Sequence, residues 1–204
     1  DHLTIEIEDV NVEALEELQA MGKRVNPAPD KLRLIQDKGL QKQFFKDHHI
    51  PTSAFRLYAD REAVLAAMEK KEIKLPFVQK LRKGGYDGRG VLVVRHEADL
   101  EELFDAPCLV EDLVPIEKEL AVIVARNKSG EVVAYPSVEM VFNPKANLVE
   151  MLASPATITE EEERQAEVTA IQVIKALELE GLLAVELFLN EKGEILVNEL
   201  APRP

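Results

Sequence analysis

Four glycines fall within seven residues in the segment Gly84-Gly85-Tyr86-Asp87-Gly88-Arg89-Gly90, with Lys80, Arg82 and Lys83 just before it and Arg89 inside it. Glycine lets a backbone turn sharply and bring its amides close to a ligand. Amides flanked by cations are what a polyphosphate requires. The segment lacks the Lys-Ser/Thr pair of a Walker loop, and no helix is expected after it. The alternative is an ordinary hairpin turn, which needs one or two glycines rather than four.

Glu186 and Glu199 form the second candidate. Each interrupts an otherwise apolar run, and the runs flank Lys192-Gly193 as the arms of a hairpin would. With the turn centred between Lys192 and Gly193, the two carboxylates face each other, with Cβ atoms about 4.5–5.5 Å apart. Half-buried carboxylates that close need a shared proton or a cation. Magnesium suits them, because it takes one or two protein carboxylates and completes its shell with water and phosphate oxygens. The competing reading turns both side chains outward into water. A third, weaker signal is Glu111-Asp112-Leu113-Val114, at the end of an apolar strand, with Glu119 just beyond. Such a connector can offer backbone groups to an adenine edge, and an acidic residue can accept from ribose hydroxyls.

The elements that must position these groups follow from periodicity and caps. Thr4 to Glu8 alternates and predicts a strand. Asn11 caps a helix carrying Val12, Leu15 and Leu18, with a stop at Gly22, and a short extended piece follows at Val25 to Pro27. Together these resemble the end of an α/β sheet. Asp30 is expected to cap a helix reaching about Lys38, with a second through Phe44 and Phe45 and a third over Arg61 to Lys71. Strands are predicted at Phe77 to Lys80, Val91 to Arg95 and Leu109 to Leu113, with a helix over Ala98 to Phe104. Further strands fall at Leu120 to Ala125 and Val132 to Phe142. Thr159 and Glu162 form a capping box for a helix with Val168, Ile171, Ile174 and Leu177 on one side. Leu182 to Leu189 and Ile195 to Leu200 make the hairpin.

Bulk properties narrow the partners. The formal net charge is −13, which argues against nucleic acid and anionic membrane surfaces but not against a nucleotide held by a local cationic cluster. No apolar run has the roughly 18 residues of a membrane span, and no signal segment opens the chain. Cys108 is the only cysteine. It reads as a small buried hydrophobe, and it implies a reducing, cytoplasmic setting. His48 and His49 lack further ligands at zinc spacing. The chain opens on Asp1 and closes on Arg203-Pro204 directly after a strand, so both ends are expected to be cut from a longer protein.

Several motifs occur in order: Ile35-Gln36-Asp37-Lys38 with Gln41-Lys42, Ile50-Pro51-Thr52, the glycine segment, Lys118-Glu119-Leu120 with Ala125-Arg126-Asn127, and Val197-Asn198-Glu199-Leu200-Ala201-Pro202-Arg203-Pro204. This set closely resembles the 5-(carboxyamino)imidazole ribonucleotide synthase (PurK) family of purine biosynthesis, over nearly the whole chain. The resemblance implies an α+β, ATP-grasp fold in which two subdomains clasp the nucleotide. Residues 1–29 would be the C-terminal remnant of a preceding α/β domain, 30–115 the small subdomain with linker helices and 116–204 the large subdomain carrying the metal site. It implies ATP and Mg2+ as cofactors, bicarbonate and 5-aminoimidazole ribonucleotide as substrates, and a homodimer.

By motif position, ATP would contact Lys38, Lys80, the loop Gly84, Gly85, Tyr86, Asp87, Gly88, Arg89 and Gly90, the connector Glu111, Asp112, Leu113 and Val114, and also Glu119 and Asn198. Glu186 and Glu199 would hold the metal. Arg203 and Arg89 would be catalytic, and Glu6, Glu8, Tyr86, Arg89 and Arg203 would face the substrates. The family's glycine-rich opening and its His-Asn-Ser-Gly-His continuation are absent here, and both help build the acceptor site. Lys38 stands where some relatives carry Arg. Ala201 stands where other ATP-grasp carboxylases, biotin carboxylase among them, often carry Asn. Another ATP-grasp carboxylate–amine ligase, or a non-catalytic nucleotide-binding fragment, are the competing readings.

Overall fold

The computed structural model describes residues 2–85, 89–143 and 148–203. Two antiparallel sheets dominate it. The smaller has four strands in the order β3 (Phe55–Tyr58), β6 (Cys108–Asp112), β4 (Phe77–Leu81), β5 (Val91–Val94). The larger runs β10 (Leu148–Ala153), β9 (Val138–Asn143), β7 (Ile116–Arg126), β11 (Gly181–Asn190), β12 (Ile195–Arg203), with β8 (Val132–Ala134) beside β7. A two-residue parallel pair, β1 (His2–Leu3) with β2 (Arg24–Val25), stands at the N-terminal end.

The predicted strand over Thr4 to Glu8 is not formed; the strand is His2–Leu3. Its partner β2 supplies only two residues. Ile5 instead turns inward onto Val12 and Leu32, and Gln36 Nε2 donates to the carbonyls of Glu8 and Val10 at 2.6 and 2.8 Å, pinning the bend. Helix α1 (Val12–Ala20) starts where Asn11 caps it. The next helix, α2 (Pro29–Ile35), has Pro29 at its start and no side-chain cap, so Asp30 is a first-turn acid rather than the cap. Asp37 caps α3 (Lys38–Asp47), its carboxylate accepting from the amides of Gly39 and Leu40. Lys38 therefore opens a helix instead of closing one.

Helix α4 (Arg61–Glu69) covers the small sheet, and the predicted helix over Ala98 to Phe104 is a 3-10 helix at Glu97–Glu102. With Phe77, Val94, Cys108 and Val110 they enclose the smaller core. The larger core lies under α5 (Glu160–Leu177), which the Thr159/Glu162 box opens. The buried face of α5 is Ala166, Thr169, Ala170, Val173, Ile174 and Leu177. Val168, expected on that face, is 53% exposed; the small residues Ala166 and Ala170 let α5 lie close on the sheet and set its rotation. Ile35, Phe45 and Ile50 join this larger core, so the segment through α2 and α3 packs against the large sheet.

Candidate active site

Between the two sheets lies a cavity of about 520 Å³, within the range of small-molecule sites. Alternation supplies its walls. Val78 and Lys80 project from one face of β4, Val91 and Val93 from β5, and Glu186 and Phe188 from β11, whose intervening Val185, Leu187 and Leu189 are buried on the core side. Met140, Phe142 and Val149 close the far end. These apolar walls were not among the expected site residues, although the period-two alternation of β4, β5 and β11 carries the signal.

The glycine segment joins β4 to β5 and closes on itself: the amide of Leu81 donates to the carbonyl of Gly90 at 2.8 Å. Gly84 and Gly90 have φ of +73° and +75°, angles that only glycine adopts readily. A Cβ on Gly85 would stand 2.8 Å from the Arg89 carbonyl oxygen. Gly85 and Arg89 line the cavity; Gly84 and Gly90 shape the loop from outside it. Tyr86, Asp87 and Gly88 lie outside the described residues. Of the three preceding cations only Lys80 faces the cavity. Arg82 makes a two-pronged pair with Asp37, Nε to Oδ1 at 2.9 Å and Nη2 to Oδ2 at 2.7 Å, and so ties the foot of the loop to the cap of α3.

Glu186 and Glu199 stand opposite each other, as expected, but for a reason periodicity does not contain. The turn pairs Leu189 with Ile195 and Leu187 with Val197, a register that would set Glu186 opposite Asn198. A bulge intervenes, so that Glu186 pairs with Glu199, and Asn198 and Glu199 both line the cavity. Bulges re-aim side chains in this way. Lys38 Nζ pairs with the Glu199 carboxylate. Lys80 Nζ donates to Asn198 Oδ1 at 2.8 Å and lies 5.8 Å from the centre of the Phe188 ring.

Behind this wall Glu111 accepts two ion pairs, from Lys42 and Lys80, both at 3.0 Å. Its side chain is thus committed to the lysines, which leaves Glu111 its backbone to meet a ligand edge. Burial pushes the Glu111 carboxyl up, but Lys80 and Lys42 outweigh it and hold it at about 2. Burial, reinforced by the Lys80 charge, lowers Lys38 to about 8, and burial likewise lowers Lys42 to about 8. Glu119, on the cavity wall, is raised to about 7 by burial and then by the Glu186 charge. Burial also raises Glu186. Desolvation is thus the largest cause of the shifts at Glu119, Glu186, Lys38 and Lys42, so this side of the cavity is poorly hydrated.

The described residues hold no group of three or more His, Cys, Asp or Glu arranged for a metal. The Glu186/Glu199 pair still fits a hard cation that takes its remaining oxygens from phosphate and water. Of the other predicted residues, Asp112, Leu113, Val114 and Glu119 line the cavity. Glu6, Glu8 and Arg203 do not, although the charges of Glu8 and Arg203 are felt by Glu186.

Residues 43–204 match a family profile described as an ATP-grasp domain. The phosphoribosylaminoimidazole carboxylase of Ogataea methanolica is 36% identical over 211 residues, spanning 100% of this chain and 38% of that protein. The crystal structure of N5-carboxyaminoimidazole ribonucleotide synthetase from Thermotoga maritima is 40% identical with a TM-score of 0.85, covering 98% of this chain and 51% of that one. The Aspergillus clavatus N5-carboxyaminoimidazole synthase, solved with ADP and 5-aminoimidazole ribonucleotide, is 30% identical with a TM-score of 0.89 and covers 100% of this chain and 53% of that one. The chain thus spans about half the length of these solved relatives, and less of the first.

Proposed function

This chain belongs to the ATP-grasp family, and we propose on that footing that it is the nucleotide-binding part of an ATP-dependent ligase that carboxylates 5-aminoimidazole ribonucleotide on its exocyclic nitrogen. The observation that carries this is the meeting, in one cavity, of the glycine loop, Lys38 and Lys80, and the Glu186/Glu199 pair. The relatives' names supply the acceptor.

ATP would lie with its purine among the apolar walls, the Glu111 to Val114 backbone at the adenine edge and Glu119 at the ribose. Lys38, Lys80 and the amides of the loop from Gly84 to Gly90 would hold the phosphates, and Asn198 would sit beside them. Glu186 and Glu199 would hold Mg2+, which would neutralise charge on the phosphate oxygens. Bicarbonate attacks the γ-phosphorus as ADP leaves, giving carboxyphosphate. The amine of the ribonucleotide then takes the carboxyl group and inorganic phosphate departs. The fixed cations offset charge developing on the transferred phosphoryl group. Arg203 and Arg89, whose planar fork suits a carbonate, would hold the bicarbonate end, with Glu6, Glu8 and Tyr86 toward the ribonucleotide.

We further propose the division into residues 1–29, 30–115 (the small subdomain with the linker helices α2 and α3, which pack on the large sheet) and 116–204, a cytoplasmic location and a homodimer. No helix among the described residues is long and apolar enough to cross a membrane. The test is ADP release by the full-length protein, with and without 5-aminoimidazole ribonucleotide, using labelled bicarbonate. Label in an acid-labile carbamate that forms only when all three substrates are present is expected. ADP release indifferent to the ribonucleotide overturns the acceptor, and none under any condition overturns the catalytic reading.

A further inference from the structure

Gln41 and Lys42 have no task in the scheme above. Neither lines the cavity, yet they are 3% and 2% exposed. A buried ammonium is costly unless fully compensated, and apolar side chains often serve equally well for stability alone. The compensation here leads toward the site. Lys42 Nζ donates to Thr52 Oγ1 at 2.6 Å and Ser53 Oγ at 3.0 Å, and pairs with Glu111. The other oxygen of Glu111 holds Lys80, whose ammonium rests on Asn198.

Gln41 reaches the same strand from the other side. Its Nε2 donates to the Ile35 carbonyl at 2.6 Å, and its Oε1 accepts from the Leu200 amide at 2.9 Å. Thr52 Oγ1 donates to the Val197 carbonyl at 2.6 Å, and the Val197 amide donates to the Pro51 carbonyl at 2.8 Å. Since β12 is the edge strand of its sheet, its outward backbone groups need such partners. Val197 and Leu200 are the residues immediately before and after Asn198-Glu199, the pair that the bulge turns into the cavity. Both flanks of the bulge are therefore held by side chains that never touch the cavity.

We propose that Gln41, Lys42 and Thr52 form a clamp that positions the phosphate-and-metal end of the site, holding the Asn198-Glu199 bulge in place and, through Glu111, keeping the Lys80 ammonium on it. The inference rests on the nucleotide reading above. Residues that orient metal-ligating carboxylates typically matter by about 10- to 100-fold in metal affinity.

The test is calorimetric titration of the full chain with AMP and with the ATP analogue AMP-PNP, each with and without Mg2+, for wild type, Gln41→Met, Lys42→Met and Thr52→Val. Thermal melting is recorded for each. AMP affinity should stay as in wild type, while the gain that Mg2+ brings to AMP-PNP should shrink by about 10- to 100-fold. An equal loss for AMP and AMP-PNP, or lower melting with the Mg2+ gain intact, overturns the clamp and leaves an ordinary structural role. A wild-type chain that gains nothing from Mg2+ overturns the nucleotide reading, and the clamp with it. Should either methionine variant fail to fold, the milder Thr52→Val decides alone, and an unchanged Mg2+ gain there overturns the proposal.

Discussion

Two hairpins wall the cavity, and they reach it by opposite means. The β4–β5 hairpin brings its connecting segment to the site, with glycines permitting the backbone shape. The β11–β12 hairpin keeps its turn away from the site. Its turn is closed by Asn190, whose Oδ1 accepts from the amides of Lys192 and Glu194, and its chemistry lies in mid-strand, on a bulge braced from outside. One wall works through backbone freedom and the other through side chains held by buried partners. Substitutions should therefore act on binding in the first and on both chemistry and stability in the second.

The contrast is sharpest at Glu199. In the full-length protein Glu199→Ala should lower ATP turnover at least about 100-fold, since even the partners of a metal ligand are worth 10- to 100-fold; near-normal turnover would remove the metal assignment. Glu111→Leu strands two buried lysines and should cost about 3–5 kcal/mol of folding free energy, read from urea unfolding. Gly90→Ala, in the other hairpin, forces a left-handed angle on a residue with a Cβ. It should cost about 1–2 kcal/mol, appearing as weaker AMP-PNP binding in calorimetry. Full retention of that binding would show that the loop's angles do not matter.

Titration probes two groups that belong to neither hairpin, Glu119 on β7 and Lys38 at the start of α3. Folding raises Glu119 from 4.5 to about 7, so the protonated form favours the native state; that contribution is complete below pH 4.5 and disappears as pH rises to 7. Folding lowers Lys38 from 10.5 to about 8, so the charged amine opposes the native state, and stability returns as pH rises from 8 to 10.5. The urea midpoint of the ligand-free chain should thus dip between pH 7 and 8, and Glu119→Gln should flatten the acid side of the dip. The smallest effect belongs to Val168→Glu, which should lie within about 0.5 kcal/mol because the side chain faces water.

The glycine loop was legible because composition alone marks it: four glycines beside cations have few structural uses. The two glutamates were legible as polar breaks in apolar strands. Their facing was expected from a turn centred between Lys192 and Gly193; what the sequence did not carry is the bulge that produces it, since the register of the turn itself would pair Glu186 with Asn198. Strands β3 and β10 were missed because Phe55 to Tyr58 is short and Leu148 to Ala153 sits on a sheet edge where alternation is irregular. Arg82 was counted among the cations that precede the loop. Only its pairing with Asp37, far away in sequence, shows it to be a strut.

That strut gives α3 a mechanical role. Its first turn is fastened to the foot of the glycine loop through Asp37 and Arg82, and its second turn to the bulged strand through Gln41 and Lys42. One short rod thus works as a caliper that sets the gap between the opposing walls. A lesion that tilts it, such as loss of the buried Phe45 ring, would shift both jaws at once, and damage to amine and carboxylate contacts would be inherited together.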